Sequence, residues 1–204
     1  MNEIDTLIFD FGGVLIDWSP AYVFLKEFRG NQDEMSHFLN TICSWEWNEN
    51  QDAGYSIKKA TEERVAMYPN YEHLIRMYYG RWEDMLGYEH TDTVALLKMF
   101  NDNDKYRLLG LTNWSHETFP VALERFGFLS WFDGIVVSGT EKMKKPDPRI
   151  YKLTLDRYAV TARNAIFIDD KLENVNAAIQ LGIHGIHFTT AAKLKKDLDA
   201  LGVS

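Results

Sequence analysis

The stretch TLIFDFGGVLIDW, residues 6–18, decides the fold. An apolar run, Leu7-Ile8-Phe9, leads to a single carboxylate, Asp10, and a glycine pair, Gly12-Gly13, follows it closely. A short apolar run that ends in turn-forming residues is typical of a buried strand. A charged side chain at the end of such a strand indicates a candidate active site, and this stretch supplies a single carboxylate for it.

Four further apolar runs with β character recur along the chain, and segments of helical length separate the later ones. This alternation is typical of a mostly parallel sheet that is buried on both faces. Helix signals agree, because Asp147-Pro148 has the pattern of an N-cap and a first-turn proline, and Gly182 stands where a helix should end. We therefore predict an α/β fold with a mostly parallel, doubly wound, Rossmann-like sheet. The five predicted strands are Thr6–Asp10, Tyr106–Thr112, Gly134–Ser138, Ala165–Asp169 and Gly185–Phe188.

The segment between the first two of these strands shows helical spacing and no convincing strand. Such a stretch is far longer than a usual crossover helix. We predict that residues 17–87 form a small inserted α-helical cap, and that residues 1–16 and 88–204 form the core that carries the catalytic residues. The apolar residues spaced at i, i+3, i+4 and i+7 are Met35, Phe38, Leu39 and Ile42, and then Ile75, Tyr78, Tyr79 and Trp82.

Length, charge and cysteine content narrow the classes of protein. The chain has 204 residues, 46% hydrophobic and 25% charged, which is an ordinary globular balance. Its single cysteine, Cys43, excludes an internal disulfide and favours a reducing compartment. No signal peptide and no apolar run of ~20 residues is visible. The net charge of −8 disfavours binding to nucleic acid, which needs a basic surface. We expect a cytoplasmic protein with no membrane or nucleic-acid partner.

Polar side chains stand at the ends of several predicted strands, as Asp10 does. Because the carboxyl ends of parallel strands share one edge of a sheet, we expect these side chains to converge there. Taken singly, each is more typical of a turn or a helix cap, but together and in this order they indicate a site. The candidates are Asp10, Thr112, Asn113, Asp169 and Asp170, with Lys145 entering from a loop before a helix.

The chemistry of this set fits phosphoryl transfer to a carboxylate. Asp10 is placed to attack a phosphorus atom and form an aspartyl-phosphate. Asp10 and Asp170 together suit Mg²⁺, which prefers oxygen ligands and bridges carboxylates to phosphates. Lys145 would neutralise the charge of the phosphoryl oxygens, and the Thr112 hydroxyl would hold these oxygens by hydrogen bonding. Gly12 would let the backbone approach the metal and the phosphate closely.

Four motifs carry a resemblance to a known family: FDFGGVL (9–15), LLGLTN (108–113), KKPDPRIY (144–151) and FIDDKLENVNAA (167–178). Their order and spacing resemble the haloacid dehalogenase superfamily, specifically its phosphatase-like members with a helical cap inserted after the first motif. The resemblance implies a Mg²⁺-dependent phosphatase acting on a small-molecule phosphate ester. It also implies roles for single residues. Asp10 would be the nucleophile and a metal ligand, together with the Gly12 carbonyl and Asp170 as further metal ligands. Thr112, Asn113 and Lys145 would bind phosphate, Lys145 would also contact the nucleophile, and Asp169 and Asn174 would be supporting residues.

Two positions depart from the family's pattern. Gly12 occupies the place of a second aspartate that usually serves as general acid and base for the leaving group. Some phosphatase members also have glycine there. Without that acid, phosphates on less basic oxygens are favoured, such as an anomeric sugar phosphate, unless water or a cap side chain substitutes. Lys142 occupies the place of a glycine that often precedes the lysine by three positions, which bears on the loop conformation.

Two other functions compete with the phosphatase hypothesis. A 2-haloacid dehalogenase also lacks the second aspartate, attacks carbon and needs no metal. The adjacent carboxylates Asp169 and Asp170 disfavour it, because they would repel each other without a cation. The other alternative is a catalytically impaired, phosphate-binding regulatory protein. The joint presence of Asp10, Lys145 and Asp170 disfavours that alternative, since binding alone needs no nucleophile.

The segment CSWEWNENQDAGYS (43–56) is the candidate for substrate specificity, and we expect it to link two cap helices. Trp45, Trp47, Asn48 and Asp52 combine flat apolar surface with hydrogen-bonding groups that suit a sugar or a similar polyol. The competing interpretation is that both tryptophans belong to the cap core.

Overall fold

The computed structural model describes residues 3–203, and five of its seven strands form one parallel sheet. The sheet order is β5-β4-β1-β6-β7, with every neighbouring pair parallel. The α/β fold and its mostly parallel sheet are therefore confirmed, and each of the five predicted strands differs from the observed one by at most one residue at either end. The strands are β1 (Thr6–Phe9), β2 (Ile16–Trp18), β3 (Leu86–Glu89), β4 (Arg107–Thr112), β5 (Gly134–Val137), β6 (Ala165–Asp169) and β7 (His184–His187).

Eleven α-helices accompany the strands within residues 3–203. Those that precede β3 are α1 (Ala21–Glu27), α2 (Gln32–His37), α3 (Trp45–Asp52), α4 (Ile57–Met67) and α5 (Glu72–Gly80). Those that follow it are α6 (Thr91–Asn101), α7 (Phe119–Arg125), α8 (Ser138–Glu141), α9 (Pro148–Arg157), α10 (Leu172–Gln180) and α11 (Ala191–Ala200). None of the helices described is both long and apolar enough to cross a bilayer.

The central strand β1 is buried on both faces, as its apolar sequence predicts. Leu7 and Phe9 pack into one hydrophobic cluster, whereas Ile8 packs into a second cluster with Leu109 and Phe167. This alternation follows from the two-residue period of a strand. Helices therefore cover both faces, and the carboxyl ends of the strands meet at one edge.

The helix signals are confirmed. The Asp147 carboxylate accepts a hydrogen bond of 2.9 Å from the Arg149 backbone N–H, and Pro148 opens α9. Gly182 follows α10 with a φ of +82°, a conformation that glycine adopts without strain.

The expectation of no strand between Ile16 and Tyr106 is wrong. The short strands β2 and β3 pair antiparallel, with Ile16 opposite Glu89 and Trp18 opposite Leu86. Strands of three and four residues contain too few alternations to stand out in a sequence. This ribbon joins the two ends of the predicted cap, so the chain leaves and re-enters the core region at neighbouring points.

The segment 43–56 is also not the link that its sequence suggested, because most of it forms α3. The Ser44 hydroxyl accepts a hydrogen bond from the Trp47 backbone N–H and caps the helix, and the turn ends at Gly54 with a φ of +91°. An aromatic cluster packs the helices of this region together. It contains Phe24, Phe38, Trp47, Tyr78, Tyr79 and Trp82.

Candidate active site

Asp10 lies directly after β1, at the centre of the sheet edge. Its backbone N–H donates to the Ile168 carbonyl at 2.9 Å, and its carboxylate accepts from the Phe11 backbone N–H at 2.7 Å. Only 8% of the residue is exposed. Burial raises the pKa of Asp10 and the charge of Asp169 adds to the rise, whereas the charge of Lys145 opposes it.

Lys145 is the buried cation of the site. Its Nζ lies 2.9 Å from the Asp10 carboxylate and 2.7 Å from the Asp169 carboxylate, and it donates a third contact of 2.7 Å to the Leu111 carbonyl. Burial lowers the pKa of Lys145, but attraction to Asp10 and Asp169 outweighs burial and leaves that pKa raised. The side chain is therefore a permanent ammonium that holds two carboxylates.

The residues after β4 fix the backbone of Lys145. The Asn113 side chain accepts from the Lys145 backbone N–H at 2.8 Å and donates to the Lys145 carbonyl at 2.9 Å. Thr112, the last residue of β4, is 1% exposed.

Lys142 adopts a left-handed conformation, with a φ of +55°, so a lysine takes the backbone geometry for which glycine is suited. The turn before Lys145 is therefore left-handed even though a lysine stands where the family often has a glycine.

Asp169 and Asp170 differ in how their carboxylates are used. Asp169 is fully buried and accepts hydrogen bonds from the Lys171 backbone N–H and from the Asn174 amide, which contacts both of its oxygens, in addition to Lys145. Burial raises the pKa of Asp170, and repulsion from Asp169 adds to that rise. Asp169 is thus committed to structural contacts, and Asp170 is the more available ligand.

The donor set fits a hard cation such as Mg²⁺. Oxygen atoms of Asp10, Asp169 and Asp170 lie within 4.8 Å of one another. Gly13 packs closely against this group, because a Cβ added there would lie 2.6 Å from Asp170 Oδ2, and its φ of +74° also suits glycine. The predicted metal ligands Asp10 and Asp170 both belong to this group, and Gly12 lines the same cavity.

A cavity of about 260 Å³ opens at this edge of the sheet. Its floor comes from the strand ends and its roof from α3, which contributes Trp45, Glu49 and Asp52. Trp45 is 47% exposed, and its ring lies 5.8 Å from that of Trp18. The lining residues are Asp10, Gly12, Gly13, Trp18, Trp45, Glu49, Asp52, Asn113, Asp170, Lys171 and Asn174.

The two cap tryptophans have different surroundings. Trp47 is 5% exposed and packs at 5.2 Å against Tyr78 in the aromatic cluster, whereas Trp45 faces the cavity. Sequence reasoning did not select Trp18, Glu49 or Lys171, which also line the cavity. Each of the three nevertheless lies in or beside a stretch that the sequence singles out: Trp18 follows the glycine pair of the first motif, Glu49 lies in segment 43–56, and Lys171 directly follows Asp170.

Comparison with known proteins supports the resemblance. The family model of haloacid dehalogenase-like hydrolases matches residues 7–188. Flavin mononucleotide hydrolase 1 of Arabidopsis thaliana is 31% identical over 120 residues, which are 58% of this chain and 48% of the relative. The chain therefore spans about half the length of that relative.

Solved structures share the fold at low sequence identity. A HAD-family enzyme of Bacteroides thetaiotaomicron, in complex with magnesium and inorganic phosphate, has a TM-score of 0.68 and 20% identity over 91% of this chain and 94% of its own. A dehalogenase has a TM-score of 0.71 and 18% identity over 97% and 98% of the two chains. The fold alone therefore does not separate the two chemistries.

Proposed function

Because the chain belongs to the haloacid dehalogenase-like hydrolases, we propose that it is a Mg²⁺-dependent phosphatase of small phosphate monoesters. The observation that carries the proposal is the placement of Asp170 beside the ion pair of Asp10 and Lys145. A buried lysine satisfies Asp10 and Asp169, and the third carboxylate adds a charge that favours a divalent cation. Flavin mononucleotide, named as the substrate of the Arabidopsis relative, is itself a phosphate monoester.

In the proposed reaction, the Asp10 carboxylate attacks phosphorus and forms an aspartyl-phosphate, which water then hydrolyses. The charge of Lys145 favours the ionised form of Asp10 against the effect of burial, and the contact of 2.9 Å positions its carboxylate. Asp10, Asp170 and the Gly12 carbonyl would hold Mg²⁺, which supplies positive charge next to the phosphoryl oxygens.

The remaining site residues take positioning roles in this proposal. The phosphoryl oxygens would be bound by the Thr112 hydroxyl, by the backbone N–H groups beside Asn113, and by Lys145. The Asp169 carboxylate positions Lys145 through its contact of 2.7 Å to Nζ, and the Asn174 amide in turn holds that carboxylate through two hydrogen bonds of 3.0 Å. Such positioning and charge neutralisation account for most of the catalysis of phosphoryl transfer.

Substrate choice would lie with the cap residues that roof the cavity. Trp45 offers a half-exposed ring beside the polar groups of Glu49 and Asp52, and a volume of about 260 Å³ suits a small polar ester. A sugar phosphate, with its phosphate on the anomeric oxygen or on another hydroxyl, matches this combination.

The test compares phosphate release with halide release. We expect Mg²⁺-dependent phosphate release from at least one of a panel of sugar phosphates, nucleotides and aryl phosphates, and no halide release from 2-haloacids. Asp10→Asn should lower turnover by several orders of magnitude at an unchanged melting temperature, since the change is isosteric. Asp33→Asn, on the exposed face of α2, is the control and should keep full activity. Halide release, or phosphate release that persists in Asp10→Asn, would contradict the proposal.

A further inference from the structure

The cavity is open beside Gly12, where the usual acid is missing. A Cβ added to Gly12 would meet no other residue within 4 Å. A smaller recess of about 80 Å³ adjoins this point, and Gly12, Trp18, Trp45 and Asp52 line both the recess and the main cavity. The leaving group of a bound phosphate ester therefore has room next to Gly12, with Asp52 in the wall of the same space.

Asp52 is a buried and firmly positioned carboxyl group. It is the last residue of α3 and only 6% exposed. The Asn48 amide donates to its Oδ2 at 3.1 Å, and the orientation of that amide is fixed by a hydrogen bond of 2.9 Å from the Tyr79 hydroxyl. The Asp52 carbonyl accepts from the Ser138 hydroxyl at 2.5 Å, which ties the end of α3 to the core.

The charges around Asp52 favour its protonated form. The nearest lysines are drawn to Glu49, with Lys144 at 2.9 Å and Lys171 at 3.8 Å, and within residues 3–203 Asp52 forms no ion pair. Burial raises the pKa of Asp52 to about 8, and the Glu49 charge adds to this; a hydrogen bond from the Ser115 backbone and the charges of Lys171 and Lys144 oppose it. Asp52 therefore holds a proton at neutral pH, unlike Glu49, whose pKa is lowered because its ion pair with Lys144 outweighs burial.

We propose that Asp52, from the cap, protonates the leaving-group oxygen in place of the side chain that position 12 lacks. The inference rests on the phosphatase activity proposed above. As Asp10 attacks phosphorus, the bond from phosphorus to the leaving oxygen breaks and that oxygen takes the Asp52 proton, which gives a free alcohol. Water then attacks the aspartyl-phosphate and gives its proton to the Asp52 carboxylate, while phosphate leaves and Asp10 is restored. With Asp52 in place, esters of ordinary alcohols become substrates as well as anomeric and aryl phosphates.

The decisive variant is Asp52→Asn, which keeps the shape of the protonated carboxyl group but has no acidic proton to give. We expect hydrolysis of alkyl phosphates to fall ~10²–10⁴-fold, the usual contribution of a general acid. Hydrolysis of 2,4-dinitrophenyl phosphate, whose leaving group needs no proton, should change less than about threefold. Glu46→Gln is the control on the same helix, because Glu46 is exposed and does not line the cavity, and it should leave the hydrolysis of both kinds of ester unchanged.

A pH profile of the unmodified enzyme provides a second readout. Turnover of an alkyl phosphate should fall as pH rises through about 8, where Asp52 loses its proton, whereas turnover of the dinitrophenyl ester should show no such fall. Equal losses for alkyl and aryl esters in Asp52→Asn, or pH profiles that coincide above pH 8, would overturn the inference. Those outcomes would leave the phosphatase proposal intact as long as aryl phosphates are hydrolysed through Asp10. An enzyme that releases phosphate from no ester would overturn both.

Discussion

Replacing Lys145 with methionine should destabilise the protein in a pH-dependent way. The methionine fills a similar volume but leaves Asp10 and Asp169 buried without their cation, whose Nζ lies 2.9 and 2.7 Å away in the native protein. Removing one partner of a buried ion pair costs about 3–5 kcal/mol of unfolding free energy. For a chain of this length, such a loss lowers the melting temperature by about 6–20 °C.

The sign of the pH dependence follows from Asp10. Burial already raises the pKa of Asp10 above its ordinary value of 3.8, and Lys145 opposes that rise. Removing Lys145 raises the pKa of folded Asp10 further, so the variant gains more stability than the wild type as pH falls from that higher pKa toward 3.8. The deficit of Lys145→Met relative to wild type should therefore be largest at pH 8 and smaller at pH 5.

Thermal unfolding followed by circular dichroism at both pH values, without divalent cations, measures this deficit. Lys171→Met is the matched control, because that lysine also lines the cavity, but its side chain is 34% exposed and its nearest carboxylate is 3.8 Å away. We expect it to lose less than about 1 kcal/mol. A Lys145→Met protein that is as stable as this control, or whose deficit is the same at pH 5 and pH 8, would refute the reasoning.

Two further predictions concern the metal and the cap. Mg²⁺ should raise the melting temperature as well as activate hydrolysis, because at a hundredfold excess over its Kd it adds about 2.7 kcal/mol to the unfolding free energy. Asp170→Ala should lose both effects, and hydrolysis that survives chelation would contradict the metal assignment. Trp47→Ala should cost about 3–5 kcal/mol of stability because Trp47 is buried in the aromatic cluster. Trp45→Ala should leave stability nearly unchanged and raise KM, and the reverse pattern would show that the two assignments are exchanged.

The parallel sheet can be predicted well from the sequence, because its strands are continuous apolar runs with clear boundaries. Strands β1, β4 and β6 end at one edge of the sheet, which is why the sequence alone predicts that Asp10, Thr112 and Asp169 lie there. The ribbon of β2 and β3 cannot be predicted in the same way, because two very short strands carry no measurable periodicity.

The roof of the cavity is harder to predict. Helix α3 contains the polar sequence WEWNENQD, whose charged and amide side chains give no apolar stripe, so the pattern favours a link over a helix. The burial of Asp52 depends on contacts with Ser115 and Ser138, which are more than sixty residues away in sequence. A raised pKa that arises from such long-range packing has no signature in the local sequence.

The position of Asp52 has a consequence for the proposed mechanism. A general acid at position 12 would belong to the same loop as the nucleophile and would be in place whenever the core is folded. Asp52 instead reaches the site only while α3 rests on the core, held there by the Ser138 hydroxyl on its carbonyl and by the ion pair of Lys144 with Glu49. The proposed proton donor and Trp45, which lines the cavity, then belong to one helix. In the proposed mechanism, docking of the cap therefore excludes water and completes the catalytic site in the same structural event.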